Sequence, residues 1–276
     1  MMTIHNTGEI TWLSLPGLEM PGLRHGFSTR MGGVSSGYLS SMNLSFGVGD
    51  QRENVLENFS RISKAIGFPP EDLVLTNQVH EDRIRKVTGK DRGDGILRET
   101  VPGIDGLITN EPGVTLSVFF ADCVPLLFYD PVKGVIATAH SGWRGTVKKI
   151  GARVVEMMKE DYGSDAADIR AGIGPSICRD CYEVSTEVYD TFSERFTRKQ
   201  LEQFFEEGRP GHYQLDLWEA NRIILNEAGI PYPQIHVAGL CTCCHSDQLF
   251  SHRATGGKRG VMGGFIRLEN YGTTDS

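Results

Sequence analysis

The chain has 276 residues, of which 39% are hydrophobic, so it can bury a large core in one domain or two. Its net charge of −7 and the lack of any basic run argue against nucleic acid as a partner. No apolar run reaches the roughly 18 residues of a membrane span, and the N-terminus shows no signal-peptide pattern, so we expect a cytoplasmic protein with reduced, metal-bound or catalytic cysteines.

The predicted elements mix strands and helices without regular alternation. Asp50 with Glu53 predicts a capping box at the start of the first helix, and Asp216 with Glu219 predicts another. The polar stretch at 202–212 is interpreted as a mobile excursion. This mixture indicates one α/β or α+β domain. The remaining predictions are strands at 25–30, 73–76, 84–87, 105–109, 114–120, 126–129, 135–139, 169–173, 235–238 and 265–268, and helices at 146–162, 188–196 and 216–228.

Two apolar runs around the turn residues 130–134 predict a β-hairpin. If the hairpin is centred at the Pro131–Val132 bond, Cys123 and His140 lie directly opposite each other, with Cβ atoms about 4.5–5.5 Å apart. That separation suits two ligands of one metal, or a thiol and its base. A one-residue change of register would offset the pair. The alternative is a buried cysteine and a histidine that merely ends a strand.

Several polar residues near these elements are candidates for substrate or anion contacts. The segment 141–146 is glycine-rich and leads into a helix, a junction whose free N–H groups suit an anion. Arg30 borders a Gly/Ser loop and is a candidate anion contact or an ordinary surface residue. Asn43 could bind substrate or stabilise a turn. His80 follows a short strand, amid Asn and Gln, and is a candidate third ligand.

Common motifs are absent: there is no P-loop, no dinucleotide fingerprint, no H-E-x-x-H and no nucleobase-deaminase signature. Three ligands with an open position are typical of catalytic zinc, and mixed Cys/His sets occur. A competing interpretation is a structural zinc site built from Cys178 and Cys181 with Cys243 or Cys244.

Six segments in order carry a resemblance to a known family: HGFSTRMGGVS, NQVHEDRI, FFADCVPLLFYD, AHSGWRGT, GPSICRDCYEV and the CT…FSHRATGGKRG tail. Together they span about 25–268 and resemble the YfiH/YlmD family, which includes the vertebrate protein FAMIN and is also labelled "laccase domain" or "multicopper polyphenol oxidase". The chain is most similar to the YlmD branch of Gram-positive bacteria. The resemblance implies an α+β fold over residues 1–276: a single-domain layered α-β sandwich with mixed β-sheets.

The resemblance also implies a function and a metal site. The family's activity is purine nucleoside phosphorolysis of adenosine, inosine and methylthioadenosine to free base and sugar 1-phosphate, with adenosine deamination beside it. Its motifs map the metal ligands to His80, Cys123 and His140. Glu81 departs from the family's usual glycine after the histidine, which puts the loop shape in question but not the ligand.

Further roles follow as hypotheses. Arg144, Arg30 and the backbone from Ser141 to Thr146 are the candidate phosphate or substrate donors, with Asn43 as a further candidate substrate contact. Asp122 or Glu183 is a candidate acid/base or ligand-orienting group. Arg253 lies in a family motif and is placed with the substrate-binding group. For each arginine the alternative is a surface salt bridge.

The laccase label can be tested on residue counts. The chain has eight histidines and no H-x-H pair, which excludes a trinuclear copper centre. Zinc is the expected cofactor, and a single copper would also fit a His/Cys/His site. Three alternatives stay open: a cysteine hydrolase or editing enzyme using Cys123 and His140, a copper-dependent polyphenol oxidase, and a non-catalytic metal-binding scaffold. The preferred nucleoside, the native metal and the oligomeric state are not determined by the sequence.

Overall fold

All ten strands predicted from apolar runs are present, and five further strands form in the described part of the chain. The computed structural model describes residues 2–269. Within this range the strands are β1 (Thr3–Thr7), β2 (Ile10–Ser14), β3 (Leu23–Ser28), β4 (Leu73–Val74), β5 (Ile84–Lys86), β6 (Gly106–Thr109), β7 (Thr115–Phe120), β8 (Val124–Asp130), β9 (Val135–Ser141), β10 (Arg170–Ile173), β11 (Glu183–Ser185), β12 (Phe205–Glu207), β13 (His212–Leu215), β14 (Ile235–Val237) and β15 (Met262–Leu268).

The helices are fewer and mostly short. None of those described is long and apolar enough to cross a membrane. They are α1 (Arg52–Ile66), α2 (Trp143–Val147), α3 (Ile150–Tyr162), α4 (Thr186–Ser193), α5 (Arg198–Phe204), α6 (Leu217–Glu227) and α7 (His252–Thr255).

The strands form two six-stranded sheets and one small sheet. The first sheet has the order β1-β2-β3-β15-β7-β4, and the second has the order β14-β10-β8-β9-β6-β5. Both are mixed, because β4 pairs in parallel with β7, and β10 and β6 each have one parallel neighbour. The small sheet, β11-β13-β12, is antiparallel. The α+β class with mixed sheets is therefore confirmed.

The two large sheets pack face to face and carry helices on their outer faces. Phe27 of the first sheet shares a buried cluster with Leu127 and Ile136 of the second. Because side chains alternate along a strand, Phe128 points to the other face, where α3 and α6 cover it. α1 packs Phe59 over the outer face of the first sheet. The layers thus run helix, sheet, sheet, helix, which confirms the layered α-β sandwich.

The β8–β9 hairpin forms, but in another register than predicted. His140 pairs with Pro125, and Val124 pairs with Ser141, so Cys123 lies just beyond the paired region. The turn spans 131–134 and is closed by the Gly134 N–H, which donates to the Asp130 carbonyl at 2.9 Å. The observed pairing moves the centre of the hairpin by one residue and the partner of each residue by two. The predicted direct opposition of Cys123 and His140 is therefore wrong.

Two helix starts also differ from the prediction. The helix predicted at 146–162 is divided into α2 and α3, because Lys149 has a left-handed backbone (φ 56°) between them. α1 begins after Gln51, which makes no side-chain cap, so the Asp50–Glu53 capping box is wrong. The Asp50 carboxylate instead accepts the Ser35 hydroxyl at 2.6 Å.

The polar stretch at 202–212 is ordered rather than an excursion. It contains the end of α5, all of β12 and the start of β13, and so contributes to the small sheet. Of the capping box predicted at Asp216, the bond to the N-cap side chain is confirmed: the Asp216 carboxylate accepts the Glu219 N–H at 3.0 Å at the start of α6.

Candidate metal centre

Three separate elements bring His80, Cys123 and His140 together. His80 lies in the loop after β4 and has a positive φ of 63°. Cys123 precedes β8, and His140 lies near the end of β9. Their ligating atoms all lie within 4.8 Å of one another, and Cys123 Sγ is 3.9 Å from His80 Nε2. The register shift in the hairpin therefore does not separate the predicted ligands.

Asp105, directly before β6, holds both histidines in place. One of its oxygens lies 2.9 Å from His140 Nδ1. The same carboxylate accepts the backbone N–H groups of Val79, His80 and Glu81 at 3.0, 3.0 and 3.1 Å. The hydrogen bond to Nδ1 fixes the His140 ring and leaves Nε2 for a metal, the usual carboxylate–histidine–metal arrangement. Sequence analysis assigned no role to Asp105.

The electrostatics of the site stabilise a thiolate. Burial alone would raise the pKa of Cys123, but the charge of His140 and hydrogen bonds from both histidines lower it to about 6. Burial opposes a charged His140, yet Cys123 and Asp105 raise the pKa of His140 to about 9. For Asp105, burial is outweighed by the His140 hydrogen bond and by backbone donors, which lower its pKa. A metal ion would take the place of the proton shared by this group.

Gly142 leaves room beside the ligands. A Cβ at this position would lie 2.9 Å from Cys123 Sγ and 3.2 Å from His80 Cδ2, so any side chain would press on both. One thiolate and two imidazoles suit zinc or copper, and three protein ligands leave a position open for substrate. The donor set and the free space therefore fit the expected metal.

Asp122 joins the ligand segment to the C-terminal tail. It is buried and has a positive φ of 92°. One of its oxygens accepts the Thr242 hydroxyl at 2.6 Å, and the other accepts the Arg253 N–H at 2.6 Å. Both oxygens are thus engaged, and the side chain fixes the position of the chain next to Cys123.

Arginines gather around Tyr182, next to the ligand cysteine. Burial and the nearby Cys123 raise the pKa of Tyr182, while the positive charges of Arg253 and Arg144 oppose that rise. Arg259 lies near Cys123 as well: burial lowers its pKa, and the negative charges of Asp122 and Cys123 counteract this. The structure therefore places several cations beside the candidate metal ligands. Neither Tyr182 nor Arg259 was among the site residues predicted from the sequence, although both lie in the segments that carry the family resemblance.

A profile of the family described as "Multi-copper polyphenol oxidoreductase laccase" matches residues 24–269. The chain belongs to this family. It is 41% identical to purine nucleoside phosphorylase YlmD of Bacillus subtilis (strain 168) over 246 residues, 88% of each chain. It is 38% identical to a purine nucleoside phosphorylase of Deinococcus radiodurans over 93% of this chain and 92% of that one. The crystal structure of YlmD from Geobacillus stearothermophilus has a TM-score of 0.91 and 38% identity, covering 98% of this chain and 100% of the other.

The Arg253 side chain contacts the backbone of Glu183, another of the site residues predicted from the sequence. The Arg253 guanidinium donates to the carbonyls of Cys181 and Glu183 at 3.0 and 2.9 Å. The Glu183 carboxylate itself pairs with Arg209 at 2.8 Å. Ser141 is buried, and its hydroxyl donates to Asn221 at 2.8 Å.

Arg30 and Asn43 have partners of their own in the loop between β3 and α1. The Arg30 guanidinium donates to the carbonyls of Ser40 and Ser246 at 2.9 and 2.7 Å. The Asn43 amide donates to Asp50 at 2.8 Å and accepts the Val261 N–H at 3.1 Å. Both side chains connect this loop to other segments, so their substrate contacts stay a prediction.

Proposed function

We propose that this family member is a metal-dependent purine nucleoside phosphorylase that also deaminates adenosine. Its substrates would be adenosine, inosine and methylthioadenosine with phosphate, and its products the free base and the sugar 1-phosphate. The observation that carries the proposal is the open three-ligand site of His80, Cys123 and His140, oriented by Asp105. The names of the relatives support the same activity.

The chain's own residues prepare the site for a Lewis acid. Zinc, or copper in its place, would polarise a substrate oxygen or activate water when bound. Asp105 holds the His140 ring so that Nε2 faces the open position, and it holds the loop that carries His80. Gly142 keeps the space beside Cys123 Sγ free of a side chain. The geometry of the ligands is therefore set before substrate arrives.

Phosphate would bind to arginines at this site. Arg144 is exposed, lies over the Trp143 ring at 4.2 Å, and makes no ion pair within residues 2–269. The Arg259 Nε is buried and has no hydrogen-bond partner in the same range. Guanidinium groups bind phosphate oxygens in pairs, which suits an anion that must be oriented for attack on the anomeric carbon. Arg253 is already bonded to two carbonyls, so its role would be to support the site.

The departing purine needs a proton or a hydrogen bond as its bond to the sugar breaks. Tyr182 is a candidate hydrogen-bond donor to the purine, because burial and the nearby Cys123 raise its pKa and the hydroxyl stays protonated at neutral pH. Asp122 and Glu183, the acid/base candidates from the sequence, both have strong partners, in Thr242 and Arg209. We therefore assign Asp122 a positioning role and give Tyr182 the role of a hydrogen-bond donor rather than that of a general acid.

The proposal is tested by product analysis. The protein is incubated with inosine, with and without phosphate, and hypoxanthine and the sugar product are followed by chromatography and phosphorus NMR. We expect hypoxanthine and ribose 1-phosphate only when phosphate is present, and inosine from adenosine in a separate assay. Hypoxanthine with free ribose in phosphate-free buffer would indicate a hydrolase instead, and no release of base under either condition would contradict the proposal.

A second candidate is a cysteine hydrolase with Cys123 as nucleophile. One observation favours it. Asp105 bonds the His140 ring, which lies beside the Cys123 thiol, and the charge and hydrogen bonds of the histidines lower the pKa of that thiol to about 6. His80, beside the same sulfur, has no role in that chemistry. Activity that survives removal of metal but is abolished by thiol alkylation would identify the hydrolase.

A further inference from the structure

Four of the six cysteines form a second sulfur group apart from the ligands above. Cys178, Cys181, Cys241 and Cys244 present sulfur atoms that all lie within 4.8 Å of one another. Cys244 Sγ is 3.5 Å from Cys181 Sγ and 4.0 Å from Cys178 Sγ. All four are free thiols in the structure. The sequence suggests a site of Cys178 and Cys181 with Cys243 or Cys244. The structure groups Cys178 and Cys181 with Cys244 and Cys241, and leaves Cys243 outside.

Sequence spacing and backbone geometry both match a zinc site. The four cysteines form two C-x-x-C pairs, 178/181 and 241/244, a spacing typical of structural zinc sites. Cys241 Sγ accepts backbone N–H groups from Cys178 at 3.3 Å and from Cys244 at 3.4 Å. Such donors stabilise a thiolate, which is the form of cysteine that binds metal.

The distances agree with a single ion. Zinc bonds to sulfur are about 2.3 Å, so tetrahedral sulfurs lie about 3.8 Å apart. The separations of Cys244 Sγ from Cys181 Sγ and from Cys178 Sγ, 3.5 and 4.0 Å, bracket that value. A four-sulfur site selects zinc or iron among the common metals, and sulfurs this close leave no room for a multinuclear cluster.

We propose that Cys178, Cys181, Cys241 and Cys244 bind a structural zinc ion, in addition to the metal at His80, Cys123 and His140. Nothing in the first site is shared with the second. A four-cysteine zinc has no open position, so its function is to hold the fold rather than to bind substrate.

The position of this zinc indicates what it stabilises. It ties the segment after β10 to the segment after β14, two loops that also meet in a bridge between Ser176 and Cys241. Thr242 lies within the second C-x-x-C pair and bonds Asp122, and the Arg253 guanidinium bonds the Cys181 carbonyl. Loss of the zinc would therefore loosen the side of the catalytic site that carries these residues.

The test counts metal in the whole protein, purified without chelator and analysed by elemental mass spectrometry. We expect about two zinc ions per chain in wild type and about one in Cys244→Ser, the most exposed of the four. Cys123→Ala should also retain about one, and the double variant none. Cys243→Ser is the matched control, a neighbouring cysteine outside the group, and should keep both.

A second readout covers the case in which Cys244→Ser folds poorly. Cobalt is loaded into Cys123→Ala, where only the four-cysteine site remains, and the thiolate-to-cobalt charge-transfer band should appear. Wild type with one metal per chain and Cys123→Ala with none would overturn the proposal. So would iron in place of zinc, or a mass showing that two of the four thiols form a disulfide.

The inference does not depend on the proposed function. If the metal counts come out as expected and no phosphate-dependent release of base occurs, the phosphorylase proposal fails while the second zinc site stands. If base is released and only one metal is found, the reverse holds.

Discussion

Asp105 connects two candidate metal ligands that come from different parts of the chain. Its carboxylate bonds the His140 ring and three N–H groups of the loop that carries His80. It is fully buried, so water cannot replace any of these contacts. The site therefore depends on a residue that would not itself touch the metal.

Asp105→Asn should weaken zinc binding at this site about 10–100-fold, because an amide cannot accept all four hydrogen bonds and loses the charge that orients the His140 ring. Zinc affinity is measured by competition with a chromophoric chelator. Asp82→Asn is the control, since Asp82 lies in the same loop region but pairs with Arg153 at the surface. An affinity within about twofold of wild type would contradict the role of Asp105.

In metal-free protein the thiolate of Cys123 should persist to low pH. Its pKa is about 6, because His140 is positively charged beside it. Alkylation of Cys123 requires the thiolate, so the rate should be half-maximal near pH 6 and fall below that. The alkylation rate is followed by mass spectrometry of the peptide that contains Cys123. In His140→Ala the midpoint should move upward, and an unchanged midpoint would contradict the ion pair.

Arg144→Gln should raise the KM for phosphate about 10-fold or more, since a charged hydrogen bond to the anion is lost, while zinc content stays unchanged. The KM is obtained from initial rates at varied phosphate concentration. The control is Arg198→Gln, an exposed arginine on α5 that pairs with Glu202. An unchanged KM in Arg144→Gln would remove this residue from the phosphate site.

The elements with strong local signals are predictable from the sequence. The apolar stripe of α1, the glycine that ends α3 and the two strands of the β8–β9 hairpin all depend on residues close in the chain. The register of that hairpin is not predictable in the same way. It depends on where the turn closes, at residues 131–134, and on hydrogen bonds from the Val132 and Lys133 N–H groups to the Asp130 carboxylate.

Motifs predict the three residues that the structure brings together at the candidate metal site, but they do not predict Asp105. Its contact with His140 exists because β6 pairs with β9, which places Gly106 beside Ala139. That pairing joins distant parts of the chain, and no local pattern shows it. The same holds for Cys241, whose partner Cys178 lies 63 residues earlier.

A buried histidine in β3 predicts that the protein loses stability in acid. His25 is buried there and accepts the Leu15 N–H at 2.9 Å. Burial lowers its pKa to about 4, against the pull of Glu19. The unfolded chain binds a proton at His25 near pH 6.5, whereas the folded chain binds it only near pH 4. The free energy of unfolding is therefore undiminished above about pH 6.5 and falls as the pH drops toward 4, by up to about 3 kcal/mol.

His25→Gln keeps an acceptor for Leu15 but does not titrate. Its free energy of unfolding, measured by urea titration on chelated protein, should therefore depend less on pH between about 6.5 and 4.5 than that of wild type. Chelation removes the titration of metal binding from both proteins. Parallel pH profiles for the two would contradict the assignment.

At the scale of the molecule, the sandwich brings remote segments to one edge. The candidate metal ligands come from the loop after β4, from the residue before β8 and from β9, and the segment between β14 and β15 bonds Asp122 beside them. The chain carries a net charge of −7, yet arginines collect at this edge. The local charge, rather than the total, makes the site suitable for phosphate.

Metal replacement tests the central claim most directly. Wild type and Cys123→Ser are stripped of metal, reloaded with zinc or with copper, and assayed for hypoxanthine release from inosine in the presence of phosphate. We predict that stripping abolishes release in wild type, that reloading restores it, and that Cys123→Ser regains none. Full activity in stripped wild type, or in Cys123→Ser, would contradict a metal-dependent phosphorylase at His80, Cys123 and His140.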